Sequence, residues 1–430
     1  MMQELTAAAL DLSRYIRAGD TVFVGQGTAE ALTLTEALTA QRAQIGAVKV
    51  FLGPTFSQTW QPEHADYLTF LSYGALGNNQ QLAQAGLLNV IPSHMSQLPQ
   101  LIDSGTLPAD VVLIQLSPPN ARGEYSFGIA NDYLVAAMRR ARVVIAEVND
   151  QVPWTYCDRA GSGSTALAQL RIDYLVRTSR PLLELKGAAI GATEQRIAAF
   201  AAEFIGDGAV LQTGIGAIPD AILSALGERR DLGVHSGLIG DCVIDLIRRG
   251  VMNGARKNID RDLAVGGVVF ASESSYRFLH ENAQVLLQPV THTHDLQTIA
   301  ALDNFIAINS AIEVDLTGQV NAEMAGANYI GAVGGQLDFV RGAWAARGGR
   351  SIIALPATAK NASISRIVAR IDNGNVTTPR SDADLIVTEW GAAELRGQTL
   401  AERMRRMIAI AHPDFREGLE RAAHAQIKNL

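Results

Sequence analysis

Short apolar runs rich in β-branched residues alternate along this chain with longer stretches whose apolar positions recur at helical spacing. Thr21 to Val24, Val48 to Leu52, Val111 to Leu116 and Val143 to Val148 each read as a buried strand bounded by polar or glycine residues. Ala29 to Gln41 and Asn131 to Arg140 read as the helices between them. The pattern restarts in the second half, with Val210 to Gln212, Asn304 to Asn309, Ser351 to Leu355 and Leu385 to Thr388 as strands. Strands alternating with helices imply parallel sheets joined by right-handed crossovers, so the expected class is α/β. A chain of 430 residues is long for one core. The restart therefore predicts two domains, 1–187 and 188–430, with Ala188 to Thr193 and Gln195 to Ala202 as the bridge.

A weak internal repeat supports that division. Gly19 to Gly27 leads into a helical stretch ending at Leu38, and Gly206 to Gly216 into one ending at Leu226. Both read as turn, strand, G-x-G loop, helix. Gly25 and Gly27 in one loop, and Gly214 and Gly216 in the other, let the backbone turn sharply and present N–H groups beside a helix start, which suits a phosphate or carboxylate. The third glycine of a dinucleotide fingerprint is missing from both, and a bare G-x-G is more often tight-turn chemistry; its repetition adds weight.

Composition narrows the classes. Apolar residues make up 48% and the net charge is −7 and dispersed, which suits large cores and argues against nucleic acid as the main partner. No apolar run approaches the ~20 residues of a membrane span, and Met1 to Asp20 mixes charges with apolar residues, unlike a signal peptide. Cys157 and Cys242 are too few for a disulfide framework, which fits a cytoplasmic protein; both read as buried, inert thiols. His292-Thr293-His294-Asp295 has ligand types without a zinc motif and reads as a loop, so no metal is expected. Ser162 and Ser164 read as part of a flexible loop rather than a nucleophile elbow. Arg403, Arg405 and Arg406 read as a solvated basic face on a C-terminal helix.

Longer segments are more specific. Ser117 to Gly128 (SPPNARGEYSFG), Ala146 to Asn149, Leu211 to Pro219 (LQTGIGAIP), Ile308 to Glu323 (INSAIEVDLTGQVNAE), Val333 to Ala343 (VGGQLDFVRGA), Ser351 to Pro356 and Ile410 to Phe415 together resemble the acetyl-CoA hydrolase/transferase family, class I CoA-transferases that include 4-hydroxybutyrate and itaconate CoA-transferases. The resemblance implies two related open α/β domains with the active site in the interdomain cleft, and a homodimer or higher homo-oligomer. It implies movement of CoA between short-chain carboxylic acids of the acetate, butyrate, 4-hydroxybutyrate, itaconate or succinate type. Coenzyme A and acyl-CoA would be substrates, with no tightly bound cofactor. In such enzymes a glutamate attacks the thioester, and an enzyme-bound thioester then hands CoA to an incoming carboxylate.

The same resemblance implies residue roles. Gly334 and Gly335 match the glycine loop that approaches the thioester, where backbone N–H groups could stabilise an oxyanion. Gly214, Gly216 and Pro219 match the segment lining the CoA site, and Gly25 and Gly27 the corresponding N-terminal loop, in which Ala31 stands where relatives carry a proline. In His235-Ser236-Gly237 a glycine stands where the family keeps its attacking glutamate. Three readings follow. Another carboxylate attacks, Glu63 in Gln61 to Asp66 being the candidate; or a water activated by His235 or Glu63 hydrolyses the thioester; or the chain binds CoA without chemistry. The bland reading of Glu63 is a cap or a surface partner of His64. If only the side chain is missing, Gly237→Glu restores conventional transfer.

Overall fold

The computed structural model describes residues 2–159, 170–372 and 374–428; Ser162 and Ser164 lie outside them. The chain forms two compact units. Unit 1 comprises Met1–Lys186, Val265–Thr293 and Asn328–Gly334, and unit 2 Gly187–Ala264, His294–Ala327 and Gly335–Leu430. Two pieces of the second half thus belong to unit 1.

Unit 1 holds a parallel sheet of β1 (Gln3–Leu5), β2 (Thr21–Val24), β3 (Val48–Leu52), β4 (Leu68–Ser72), β5 (Leu88–Val90), β6 (Val111–Leu116), β7 (Val143–Asn149) and β8 (Tyr174–Thr178), in the order β1-β8-β7-β6-β2-β3-β4-β5. Alternate residues feed opposite faces, as the pleat requires. Val22, Val24, Val50 and Leu52 pack with the helix Leu32–Ile45 on one side. Phe23 and Phe51 pack on the other, where Tyr133 meets the Phe51 ring edge-on at 5.6 Å. Both faces are covered, which explains why the strands read as continuous apolar runs.

Both helices predicted in this unit begin three residues later than the pattern implies. The segment before Leu32 is spent on the glycine loop, where Gly27 has φ +60°. Ahead of the helix Leu134–Arg140, whose N-cap is Tyr133, the Asp132 carboxylate accepts the Leu134 N–H at 2.8 Å.

Unit 2 builds a second sheet from β9 (Val210–Thr213), β10 (Gly233–His235), β11 (Phe305–Ser310), β12 (Arg350–Ala354), β13 (Leu385–Thr388) and β14 (Gly391–Glu394), running β10-β9-β11-β12-β13-β14. All neighbours are parallel except the final antiparallel pair. The stretch read as a bridge forms the helix Ala192–Ala202, with Ile197, Ala198 and Ala201 buried in unit 2. His292 to Asp295 is no loop: His292 and Thr293 end the helix Val290–Thr293, and Asp295 caps Leu296–Ala300 by accepting the Thr298 N–H at 2.8 Å. Arg403 corrects the solvated-face reading. It is 8% exposed and donates to the carbonyls of Thr317 and Arg380 at 3.1 and 2.6 Å, whereas Arg405 and Arg406 pair with Glu402.

Candidate active site

In an open parallel sheet, ligands collect beyond the carboxyl ends of strands at the point where strand order reverses. In unit 1 that point lies between β2 and β6, and in unit 2 between β9 and β11. The Gly25 to Gly27 loop follows β2 and the Gly214 to Gly216 loop follows β9. Each loop therefore leaves the sheet beside a reversal.

The two loops differ in what surrounds them. A Cβ on Gly25 would meet the Ala29 carbonyl oxygen at 2.3 Å, and one on Gly27 the Phe270 ring at 2.1 Å. Only glycine fits a backbone packed that closely. In unit 2, Gly214 and Gly216 face open space, and Gly216, at φ +119°, caps the helix Ala217–Ala225. Pro219, buried in that first turn, lacks an N–H where helices leave theirs unpaired.

Four carboxylates of unit 1 stand in contrasting environments. Glu30 is 1% exposed and accepts from Phe56 N, Ser57 N, Ser57 Oγ and Trp60 Nε1 at 2.7, 3.1, 2.6 and 3.3 Å. Burial raises its pKa against those bonds, and all its bonding directions are taken. Glu147 is likewise buried, held by Thr33 and Thr178. Asp132 accepts from Gln26 Nε2 at 2.6 Å, and Gln26 in turn accepts from the Tyr73 hydroxyl at 2.9 Å. Burial pushes Asp132 up to about 6. Beside them the buried Tyr133 hydroxyl has no hydrogen-bond partner among the described residues.

Glu63 differs from all three. It is exposed on the 3-10 turn Pro62–Asp66, whose start is closed by Gln61 and His64, and its neighbour Asp66 pairs with Arg42 at 2.7 Å. Among the described residues its carboxylate accepts no hydrogen bond and joins no ion pair, and its charge acts on Arg42 and His64 nearby.

Unit 2 brings three of the predicted segments together. Ser236 Oγ donates to the Thr213 carbonyl at 3.3 Å and accepts the Leu238 N–H at 3.3 Å, tying the turn at Gly237 to the end of β9. The His294 ring lies against this turn and against Gly335, the cap of the helix Gln336–Ala345. A Cβ on Gly237 would stand 2.7 Å from His294 Nε2, and one on Gly335 2.6 Å from the same atom. A glutamate at 237 thus cannot simply be added; His294 must move first. Gly334 makes the preceding turn at φ +53°. His235 is fully buried in β10 with its ring 6.4 Å from Phe305, a core position that counts against its activating an exposed water. Cys157 is buried; Cys242 is half-buried beside Asp220, its thiol pushed up to about 11 by burial and that carboxylate, which disfavours the thiolate.

Residues 4–177 match the model of the acetyl-CoA hydrolase/transferase N-terminal domain, and residues 272–423 that of the C-terminal domain. The chain belongs to the acetyl-CoA hydrolase/transferase family. It is 41% identical over 344 residues to a 4-hydroxybutyrate coenzyme A transferase of Clostridium kluyveri, covering 80% of this chain and 79% of that protein. A butyryl-CoA:acetate CoA-transferase of Anaerostipes caccae is 34% identical over 372 residues, 84% and 82% of the two chains. Among solved structures, RipA from Yersinia pestis superposes with a TM-score of 0.91 at 34% identity over 99% of this chain and 97% of that one.

Nothing in the sequence of this family member marks Asp132, Tyr73 or Tyr133, and His294 shows there only as part of a His-Thr-His-Asp run. The first three meet only because β2, β4 and the turn after β6 end at one edge. The pairing of His294 with distant glycines is a tertiary fact.

Proposed function

We propose that this chain transfers coenzyme A between short-chain carboxylic acids, with acyl-CoA and a free carboxylate as substrates and no resident cofactor. The observation that carries this is the extended likeness to proteins named as CoA-transferases, over about four-fifths of both chains. That likeness favours transfer over hydrolysis. Open backbone at Gly214 and Gly216 beside a helix start supports a role in holding the phosphates of CoA. Gly334 and Gly335 supply bare backbone for the thioester oxygen, and Gly25 and Gly27 shape the corresponding N-terminal loop.

Gly237 stands at the position of the usual glutamate in this reading, and Glu63 is the replacement nucleophile. What supports Glu63 is that its oxygens are available, whereas Glu30, Glu147 and Asp132 are buried and hydrogen-bonded; its position counts against it, because its turn leads into the start of β4 beside the start of β3, at the amino end of the sheet rather than among the carboxyl-end loops. Its attack on acyl-CoA would give an acyl-glutamyl anhydride and the CoA thiolate. The thiolate would then form a glutamyl-CoA thioester and release the first acid, and the acceptor carboxylate would take the CoA.

The test is to incubate the protein with an acyl-CoA, reduce any enzyme-bound thioester with borohydride and map the modified peptide by mass spectrometry. A reduced adduct at Glu63, with CoA passing to an added carboxylate, is the expected result. An adduct elsewhere sinks the assignment to Glu63. Free acid accumulating at the same rate with and without acceptor sinks the transferase reading in favour of hydrolysis.

A further inference from the structure

His294 is placed by the fold, not by any motif, against both glycines of the proposed site in unit 2. A Cβ on Gly237 would lie 2.7 Å from both Cε1 and Nε2 of the ring, and one on Gly335 2.6 Å from Nε2 and 2.7 Å from Cδ2. Carbon atoms do not pack at such distances, so the imidazole and the two glycines require one another. The volume that a side chain at 237 would take is filled by the ring. Leucine or phenylalanine could fill it equally well; an imidazole adds a polar edge, and that edge is the one at the glycines.

The ring is 6% exposed and rests on Phe339 with centroids 4.6 Å apart. Burial pushes His294 down to about 3, so the imidazole is uncharged across the physiological range. A base that weak is a poor nucleophile, but an uncharged imidazole can polarise a carbonyl by donating its N–H, and it does so without changing protonation state.

We infer that His294 is an electrophilic catalytic residue whose Nε2–H donates to the carbonyl oxygen of the acyl-CoA thioester beside the Gly334–Gly335 turn. The inference rests on the transferase reading but not on which carboxylate attacks. As the attacking oxygen forms its bond to the thioester carbon, the carbonyl π pair moves onto oxygen and is held by the N–H. When the adduct collapses the C–S bond breaks, CoA leaves as thiolate, and His294 keeps its proton throughout. Gly237 then has a positive task, since any side chain there would displace the donor.

The experiment compares His294→Leu, which fills the space without a donor, with His294→Gln, whose amide N–H reaches a similar position. The expected result is a kcat for CoA transfer about 100-fold or more lower in the leucine variant, with KM for acyl-CoA within about threefold of wild type. The glutamine variant should stay within about tenfold of wild type, as partial rescue by a donor requires. Should the leucine variant not fold, His294→Phe takes its place in the same comparison. A leucine or phenylalanine variant with wild-type kcat, or a folded glutamine variant as slow as either, overturns the inference. A wild-type protein that moves no CoA across a panel of acyl-CoAs and carboxylates overturns the functional reading and this inference with it; an active wild type with an unaffected apolar variant overturns this inference alone.

Discussion

Asp132 shows how a single buried group leaves a signature in solution. Burial pushes its carboxyl up to about 6 from the ordinary 3.8, so between those values the native state binds more protons than the unfolded chain. The Asp132 contribution to stability is fully present below about pH 4 and is lost as pH rises through about 6, a change on the order of 3 kcal/mol. Asp132→Asn should flatten that window: urea midpoints of wild type minus variant, taken at pH 4.5 and 7, should differ, and equal differences would refute the assignment. His294 acts in the opposite sense. Its depressed pKa stabilises the fold above about pH 6.5 and the contribution is lost as pH falls toward about 3. Glu30→Gln keeps the shape but turns one of its acceptor oxygens into a donor facing donors, and should cost roughly 1–3 kcal/mol in chemical denaturation.

At the level of elements, the glycine loops carry the arrangement. Gly27→Ala combines φ +60° with a Cβ inside the Phe270 ring, so a loss of about 2 kcal/mol or more is expected by denaturant titration. Gly216→Ala meets no atom but keeps the φ of +119°. It should cost about 1–3 kcal/mol of strain, and a raised KM for acyl-CoA would follow from the altered turn. The strand reading rested on apolar runs and survives closely, because strands buried on both faces have nothing polar to confuse the pattern: β2, β3, β6 and β13 coincide with the predicted runs. Helix starts were less legible. Asn131 and Asp132 look like part of a helix from their spacing, yet their side chains bond the Leu287 carbonyl and the Leu134 N–H. The loops themselves could be read from glycine spacing, whereas the contacts of His294 with Gly237 and Gly335 depend on residues 57 and 41 positions apart in sequence that no periodicity connects.

For the whole molecule, the chain passes between its units after Lys186, Ala264, Thr293, Ala327 and Gly334. The later returns carry bonds the first half cannot make by itself: Thr28 Oγ1 donates to the Val269 carbonyl at 2.7 Å, and Asn131 Nδ2 to that of Leu287 at 2.8 Å. The Met95 N–H likewise donates to the Gly334 carbonyl at 2.9 Å. A polypeptide ending at Lys186 would leave the Gly27 loop without its Phe270 cover and these groups without partners. It should therefore remain aggregation-prone or protease-sensitive when made alone, and a stable, cooperatively melting 1–186 fragment would contradict this. The interleaving also bears on how such a chain is assembled during synthesis: the first sheet can emerge early, but its last pieces arrive only once most of the second half has been translated. Ordering of the Gly27 loop thus waits on residues made long after it, and truncation before Phe270 would damage the beginning of the protein.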